Sequence, residues 1–153
     1  MLGHYFENNG KWEVLDKFEK ASGVINEDIA DFKPGMKYDY IFSISTMEHV
    51  GFDDDQIDTD KVDGAISNIE SLLSDNGVFV MSDPLGYNKE LDKKVLENKY
   101  SFQKIVFLKR TGYREWMQTD KETVQDSVYD NPYNAANALA ICYYYNNGEK
   151  YGK

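Results

Sequence analysis

The chain has 153 residues and carries 17 Lys and Arg against 27 Asp and Glu, a formal net charge of −10. That field excludes a general nucleic-acid or anionic-membrane binder, which needs a positive surface, and is permissive toward cationic ligands. Hydrophobic residues at 41% and aromatics at 14% exclude a disordered chain, and a single cysteine, Cys142, excludes an intrachain disulfide or a cysteine zinc cluster.

The start, "MLGHYFENNG", lacks the basic and apolar pattern of a secretory signal. No run of about 18 apolar residues spans a membrane. A soluble, cytoplasmic protein is the expectation, with one domain over residues 1–153. "KWEVLD" (Lys11 to Asp16) reads as a strand ending in a carboxylate, and "GVINEDI" as a second one ending at Glu27 and Asp28. Pro34-Gly35 supplies a turn, and "YDYIFSIS" follows as a strand of the buried, parallel kind.

From Thr59 the period changes. Val62, Ile66, Ile69 and Leu73 recur at helical spacing, Thr59 or Asp60 caps the start, and Gly77 in "SDNG" is expected to end the helix in a left-handed cap. "VFVMSDP" then reads as a strand, so strand, helix and strand form a right-handed crossover on a parallel sheet. "NKELDKKVLEN" predicts a short helix with Leu91, Val95 and Leu96 inward. "FQKIVFLKR", "YREWMQTD" and "ALAICYYYNNG" predict three strands with no strong helix between them, an antiparallel end to the sheet. The class is α/β with a mixed sheet. Cys142, inside an apolar run, reads as a buried and inert thiol.

Ligands of open parallel sheets bind beyond the carboxyl ends of the strands. Successive strands here end in Asp16, in Glu27-Asp28, and in Ser45-Thr46 followed by Glu48-His49. Such acids can accept hydrogen bonds from ribose hydroxyls or an adenine amino group, or they can cap helices and face water.

The ordered segments "KWEVLDKFE", "GVINEDI", "YDYIFSISTMEHVG" and "LLSDNGVFVMSDPLGYN" resemble class I S-adenosylmethionine-dependent methyltransferases, with "LLSDNGVFV" similar to that family's "LLxxGGxhh" turn from helix to strand. The resemblance runs from Leu2 to Asn88 and more faintly to "ALAICYYY". It implies a Rossmann-like sheet, mostly parallel with an antiparallel C-terminal end. It further implies Asp16 on the ribose hydroxyls, Asp28 and the Ile29 backbone on adenine, and Ser45 and Thr46 facing the methionine part of the cofactor. Glu48 and His49 would lie where a methyl acceptor approaches, and Pro84 and Tyr87 would line its pocket.

The family's first strand and glycine-rich loop have no counterpart. The ribose carboxylate lies about 20 residues past such a loop in dinucleotide folds, and counting back from Asp16 leaves only Gly3, in "LGHYF", as the tail of the motif. The expected sheet is therefore N-terminally incomplete. In the family that strand lies between the second and fourth, so weak or absent S-adenosylmethionine binding is expected, together with a possible homo-oligomer formed through the incomplete sheet.

"STMEHVGF" admits two readings. His49 can serve as a general base near neutral pH with Glu48 orienting it, or Ser45 or Thr46 caps a helix whose first turn holds Glu48, with His49 packing locally. The five aspartates of "FDDDQIDTD" lack the spacing of a calcium loop and read as solvated, so no metal is expected. His4 has no assignable role, and Trp116 in "YREWMQTD" reads as core or edge packing, with a lid or acceptor wall as the alternative. The expected function is methyl transfer to a small-molecule or glycan-like acceptor, impaired in this form. The alternative is a catalytically silent Rossmann-like module for self-association or partner binding.

Overall fold

A computed structural model describes residues 11–147. In chain order it holds β1 (Val14–Leu15), β2 (Val24–Ile25), β3 (Tyr38–Ile44), a 3₁₀ turn (Met47–His49), α1 (Lys61–Leu72) and β4 (Leu73–Pro84). Then follow α2 (Lys89–Leu96), β5 (Lys104–Arg110), β6 (Trp116–Thr119), α3 (Lys121–Val124) and β7 (Ala138–Tyr145). The main sheet has five strands in the order β3-β4-β7-β5-β6, and β1 and β2 form a separate parallel pair.

The fold is α/β with a mixed sheet, and the expectation of a mostly parallel one is corrected: of the four pairings in the main sheet, one is parallel and three are antiparallel. β3 and β4 run parallel, joined by α1 as the crossover, whereas β7 is antiparallel to both β4 and β5, and β6 is antiparallel to β5. The change of direction falls in the C-terminal third, where the sequence has strands but only the four-residue α3 between them. Among the described residues, no strand joins β1 to β3.

The core lies between α1, α2 and one face of the sheet. Val62, Ala65, Ile66 and Ile69 of α1 and Leu91 and Val95 of α2 are buried against Phe79 and Met81 of β4 and Ala138, Ala140 and Cys142 of β7. The period of about four on the helix and two on the strand accounts for this set. Each fully buried Ile, Leu, Phe or Met contributes about 1.5–3 kcal/mol.

The junction after α1 differs from the expectation. The helix stops at Leu72, Leu73 is already extended (φ −72, ψ 144), and Gly77 lies inside β4 without a left-handed backbone. Its glycine serves close packing instead: a Cβ there would sit 2.9 Å from both the Tyr38 carbonyl and the Leu73 Cβ. The β3–β4 ladder shifts register between Tyr38 and Tyr40, beside this contact.

The first two strands are shorter than their sequence pattern suggests, two residues each. Asn68 of α1 holds the segment after β2 in place, its Nδ2 donating to the Ile29 and Phe32 carbonyls at 2.7 and 3.0 Å. Asn88 caps α2 by accepting the Leu91 N–H at 3.2 Å. No helix of the described residues is long and apolar enough to cross a membrane.

Candidate functional site

The site forms at the carboxyl ends of the parallel strands β3 and β4. β3 ends at Ile44, and Ser45 adopts a left-handed backbone (φ 46) while its N–H donates to the Ser82 carbonyl at 3.2 Å and hydroxyl at 3.0 Å. The chain then tightens into the 3₁₀ turn. Thr46 occupies the cap position with no side-chain capping bond, its hydroxyl donating instead to the Ile44 carbonyl at 3.1 Å. Met47 enters the core, Glu48 is 1% exposed, and the His49 side chain is 45% exposed. The turn therefore splits the Glu-His pair, sending the acid inward and the imidazole outward.

Residues after the turn fold back onto it. The Gly51 carbonyl accepts the Asp58 N–H at 2.8 Å, and Gly51 (φ 73) tolerates this only without a Cβ, which would lie 2.1 Å from the Asp58 carbonyl oxygen. The Asp53 N–H donates to the His49 carbonyl at 3.1 Å, and the Asp53 carboxylate meets His49 Nδ1 at 2.6 Å. Tyr87, on the loop between β4 and α2, donates its hydroxyl to the same carboxylate, 3.1 Å from Oδ2. Its ring meets those of His49, Tyr129 and Phe52 edge-on at 4.8, 5.1 and 5.8 Å between centroids. Gly86 (φ 100) permits this loop, since a Cβ there would lie 2.6 Å from the Tyr129 nitrogen. Asn88 ties the parts together by donating to the Glu48 carbonyl at 3.0 Å.

Behind the imidazole lies a set of buried acids. Glu48 Oε1 is 3.5 Å from His49 Nε2, while its Oε2, both Asp83 oxygens and Asp92 Oδ1 have no hydrogen-bond partner among the described residues. Burial pushes the Glu48 carboxyl up from 4.5 to about 7, with its own backbone N–H and His49 pulling down and Asp53 adding to the rise. Burial, then Asp92 and Glu48, raise Asp83 well above the ordinary carboxyl range. Burial also raises Asp92, against the Gly86 N–H and Lys89. An unpaired buried charge is far costlier than a neutral acid, which is the physical cause of the upward shift at Asp83.

The acids expected to read a nucleoside lie along the adjoining edge. Asp16, just past β1, is exposed and spends one oxygen, Oδ1, on the N–H groups of Phe18 and Glu19 at 2.8 Å each, which holds its carboxyl below the usual value. Asp28 accepts the Ala30 N–H on Oδ1 and pairs through Oδ2 with Lys61 at 2.8 Å and Lys17 at 3.2 Å. Burial pushes Asp28 up, but Lys61, the Ala30 N–H and Lys17 outweigh it and its carboxyl lies below the usual range. Both lysines also hold Asp54, at 2.6 and 3.2 Å.

The structure thus brings Glu48, His49 and Tyr87 into contact and links Asp28 to their loop through Lys17, Lys61 and Asp54. Ser45 and Thr46 are exposed beside them, Ile29 packs against the core, and Pro84 is buried at the end of β4. Gly3 falls outside the described residues. The half-exposed His49 has both nitrogens facing acids of its own turn and loop and its ring against Tyr87, and Glu48 lies in the first turn of the 3₁₀ helix with its side chain buried. Asp53, Tyr129 and Asp83 complete the site without having been singled out in the sequence. The i,i+4 spacing of His49 and Asp53 was the available signal for one of them; Tyr129 had none. No group of three or more His, Cys, Asp or Glu among the described residues could hold a metal ion.

Comparison with known proteins finds no matching family model, no matching curated protein and no matching solved structure.

Proposed function

We propose that the chain is a Rossmann-like, S-adenosylmethionine-dependent methyltransferase-like domain acting on a small-molecule or glycan-like acceptor. The observation that carries this reading is the gathering of acids beyond β1 and β2 with the His49–Asp53–Tyr87 cluster beyond β3, on the side where α/β sheets receive ligands. The antiparallel β7 beside a parallel β3–β4 pair also agrees with the expected C-terminal end of such a sheet.

The residues present fit the cofactor in part. Both backbone bonds to Asp16 fall on Oδ1, so among the described residues Oδ2 is left to accept a ribose hydroxyl. Asp28 meets an adenine amino group only in competition with two lysines, which makes cofactor binding weak. Ile29, Ser45 and Thr46 would complete the cradle. When bound, S-adenosylmethionine would supply an activated methyl group. This chain's own part is to hold the acceptor beside it, and such positioning contributes about 7–11 kcal/mol in favourable cases. Tyr87, with Pro84 behind it, would wall the acceptor, and His49 would take its proton, with Glu48 as the buried acid beside it.

Saturation-transfer NMR with S-adenosylhomocysteine tests the reading. Transfer to the ligand that disappears in Asp16→Ala is the expected result, and equal transfer in both proteins would refute it. A second reading, self-association through β3, is favoured by one observation: Tyr40 and Ile44 on this strand are 64% and 54% exposed. Sedimentation velocity across a concentration series would detect it.

A further inference from the structure

The two nitrogens of His49 face two acids in opposite environments. Nδ1 lies 2.6 Å from the carboxylate of Asp53, a surface residue that also accepts the Tyr87 hydroxyl on the same oxygen, Oδ2. Nε2 lies 3.5 Å from Oε1 of Glu48, a side chain sealed in the core with its other oxygen unpartnered. The backbone sets this asymmetry: the 3₁₀ turn buries residue 48 and leaves residue 49 half exposed beside it, and the Asp53 N–H bond to the His49 carbonyl closes the loop. An ionised carboxylate offers only acceptors, so the 2.6 Å contact favours a proton on Nδ1.

We propose that Asp53, seconded by Tyr87, is a positioning residue that fixes His49 with its proton on Nδ1, leaving Nε2 as the working proton acceptor of the site. The inference deepens the base role given to His49 above but does not require the cofactor. In the step itself an acceptor O–H or N–H bond breaks, its electron pair stays on the acceptor atom, and the proton forms a bond to Nε2. The imidazolium so formed is compensated by Asp53 across the ring.

Glu48 is the second half of the device. Its carboxyl is sealed in the core, and burial raises its pKa from 4.5 to about 7. Of the groups around Glu48, Asp53 adds to the rise and His49 opposes it, while Asp83 on β4, Tyr87 on the next loop and Asp92 of α2 behind Asp83 complete its surroundings. Beyond Asp83 lie Cys142 of β7 and Tyr100, and Asp92 is partnered by Lys89 at 3.9 Å. Two acids in opposite environments around one imidazole, one at the surface and one sealed in the core, is the arrangement that gives them different roles. Tyr87 keeps its proton for the same purpose, its phenol pushed up by burial and by Asp53.

The tautomer is directly measurable. Long-range ¹⁵N–¹H correlation spectra of the uniformly labelled chain, recorded at a pH where the imidazole is neutral, distinguish a protonated Nδ1 from a protonated Nε2. The two histidines are told apart by His49→Gln. The wild-type ring is expected in the Nδ1–H form. Asp53→Asn, nearly isosteric on a half-exposed side chain, is expected to shift the ring toward the Nε2–H form, and Asp53→Glu to restore it in part. Tyr87→Phe is expected to weaken the preference without reversing it. A wild-type ring in the Nε2–H form overturns the proposal without any variant, and so does an unchanged tautomer in Asp53→Asn. Because no cofactor or turnover enters the spectrum, a failure here is separable from a failure of the methyltransferase reading, which the S-adenosylhomocysteine experiment decides.

Discussion

Replacing Glu48 by glutamine should make the protein more stable at alkaline pH and leave it nearly unchanged in acid. The carboxyl is 1% exposed, one oxygen has no partner, and its pKa is raised from 4.5 to about 7. A folded-state pKa above the unfolded one means stability that is full below about pH 4.5, declines through the interval and is lost above about 7. At ~1.4 kcal/mol per unit, the penalty on the wild type reaches about 3 kcal/mol by pH 8. The glutamine side chain has the same shape and no charge to bury, so Glu48→Gln escapes that penalty. Asp83 and Asp92 remain in both proteins and largely cancel in the difference. Urea unfolding at pH 4, 6 and 8 measures it: the variant's advantage should grow with pH, appearing as a rising midpoint at constant slope. A variant less stable than the wild type at pH 6 and 8, with a deficit that shrinks at pH 4, would refute the reasoning and mean that Glu48 is ionised and paired with His49 in the native protein.

Three further outcomes follow from the same geometry. Gly51→Ala places a Cβ on the Asp58 carbonyl and should cost about 1–3 kcal/mol in unfolding free energy, with loss of the His49–Asp53 contact visible in the imidazole spectrum. Asn88→Ala removes both the α2 cap and the bond to the Glu48 carbonyl, and thermal unfolding should report a loss of about 1–3 kcal/mol. Lys61→Met removes the shorter of the two lysine contacts to Asp28 and to Asp54, so it should destabilise the protein at neutral pH. The Asp28 carboxyl lies below its ordinary 3.8, so that deficit should shrink as acid protonates the pair, which urea midpoints at pH 7 and pH 3 would show.

The parts of the fold visible in the sequence are those where one period dominates. Val62, Ile66 and Ile69 mark α1, and Ala138, Ala140 and Cys142 alternate cleanly along β7, so both elements and the core they share were legible. The α1–β4 junction was not. "SDNG" has the composition of a helix stop, but Gly77 is there for a close approach by the Tyr38 carbonyl, a tertiary contact with no local signature. The site was half legible for a related reason. "EH" was visible as a pair, but the 3₁₀ turn that separates its members, and the return of Asp53 out of a run of aspartates, depend on Gly51 closing against Asp58. Asp83 was hidden differently: an acid at a strand end looks like a ligand group until neighbouring elements bury it. Tyr129 reaches the site only because Gly86 lets its segment approach.

The central claim is that the acid-lined edge beyond β1 and β2 holds the nucleoside of S-adenosylmethionine, and S-adenosylhomocysteine tests it most directly. Saturation transfer from the protein to the ligand's ribose and adenine protons, weak but lost in Asp16→Ala, is what the account predicts. Absence of transfer, or transfer indifferent to Asp16, would contradict it, and concentration-dependent sedimentation of the same sample would then point to self-association along β3.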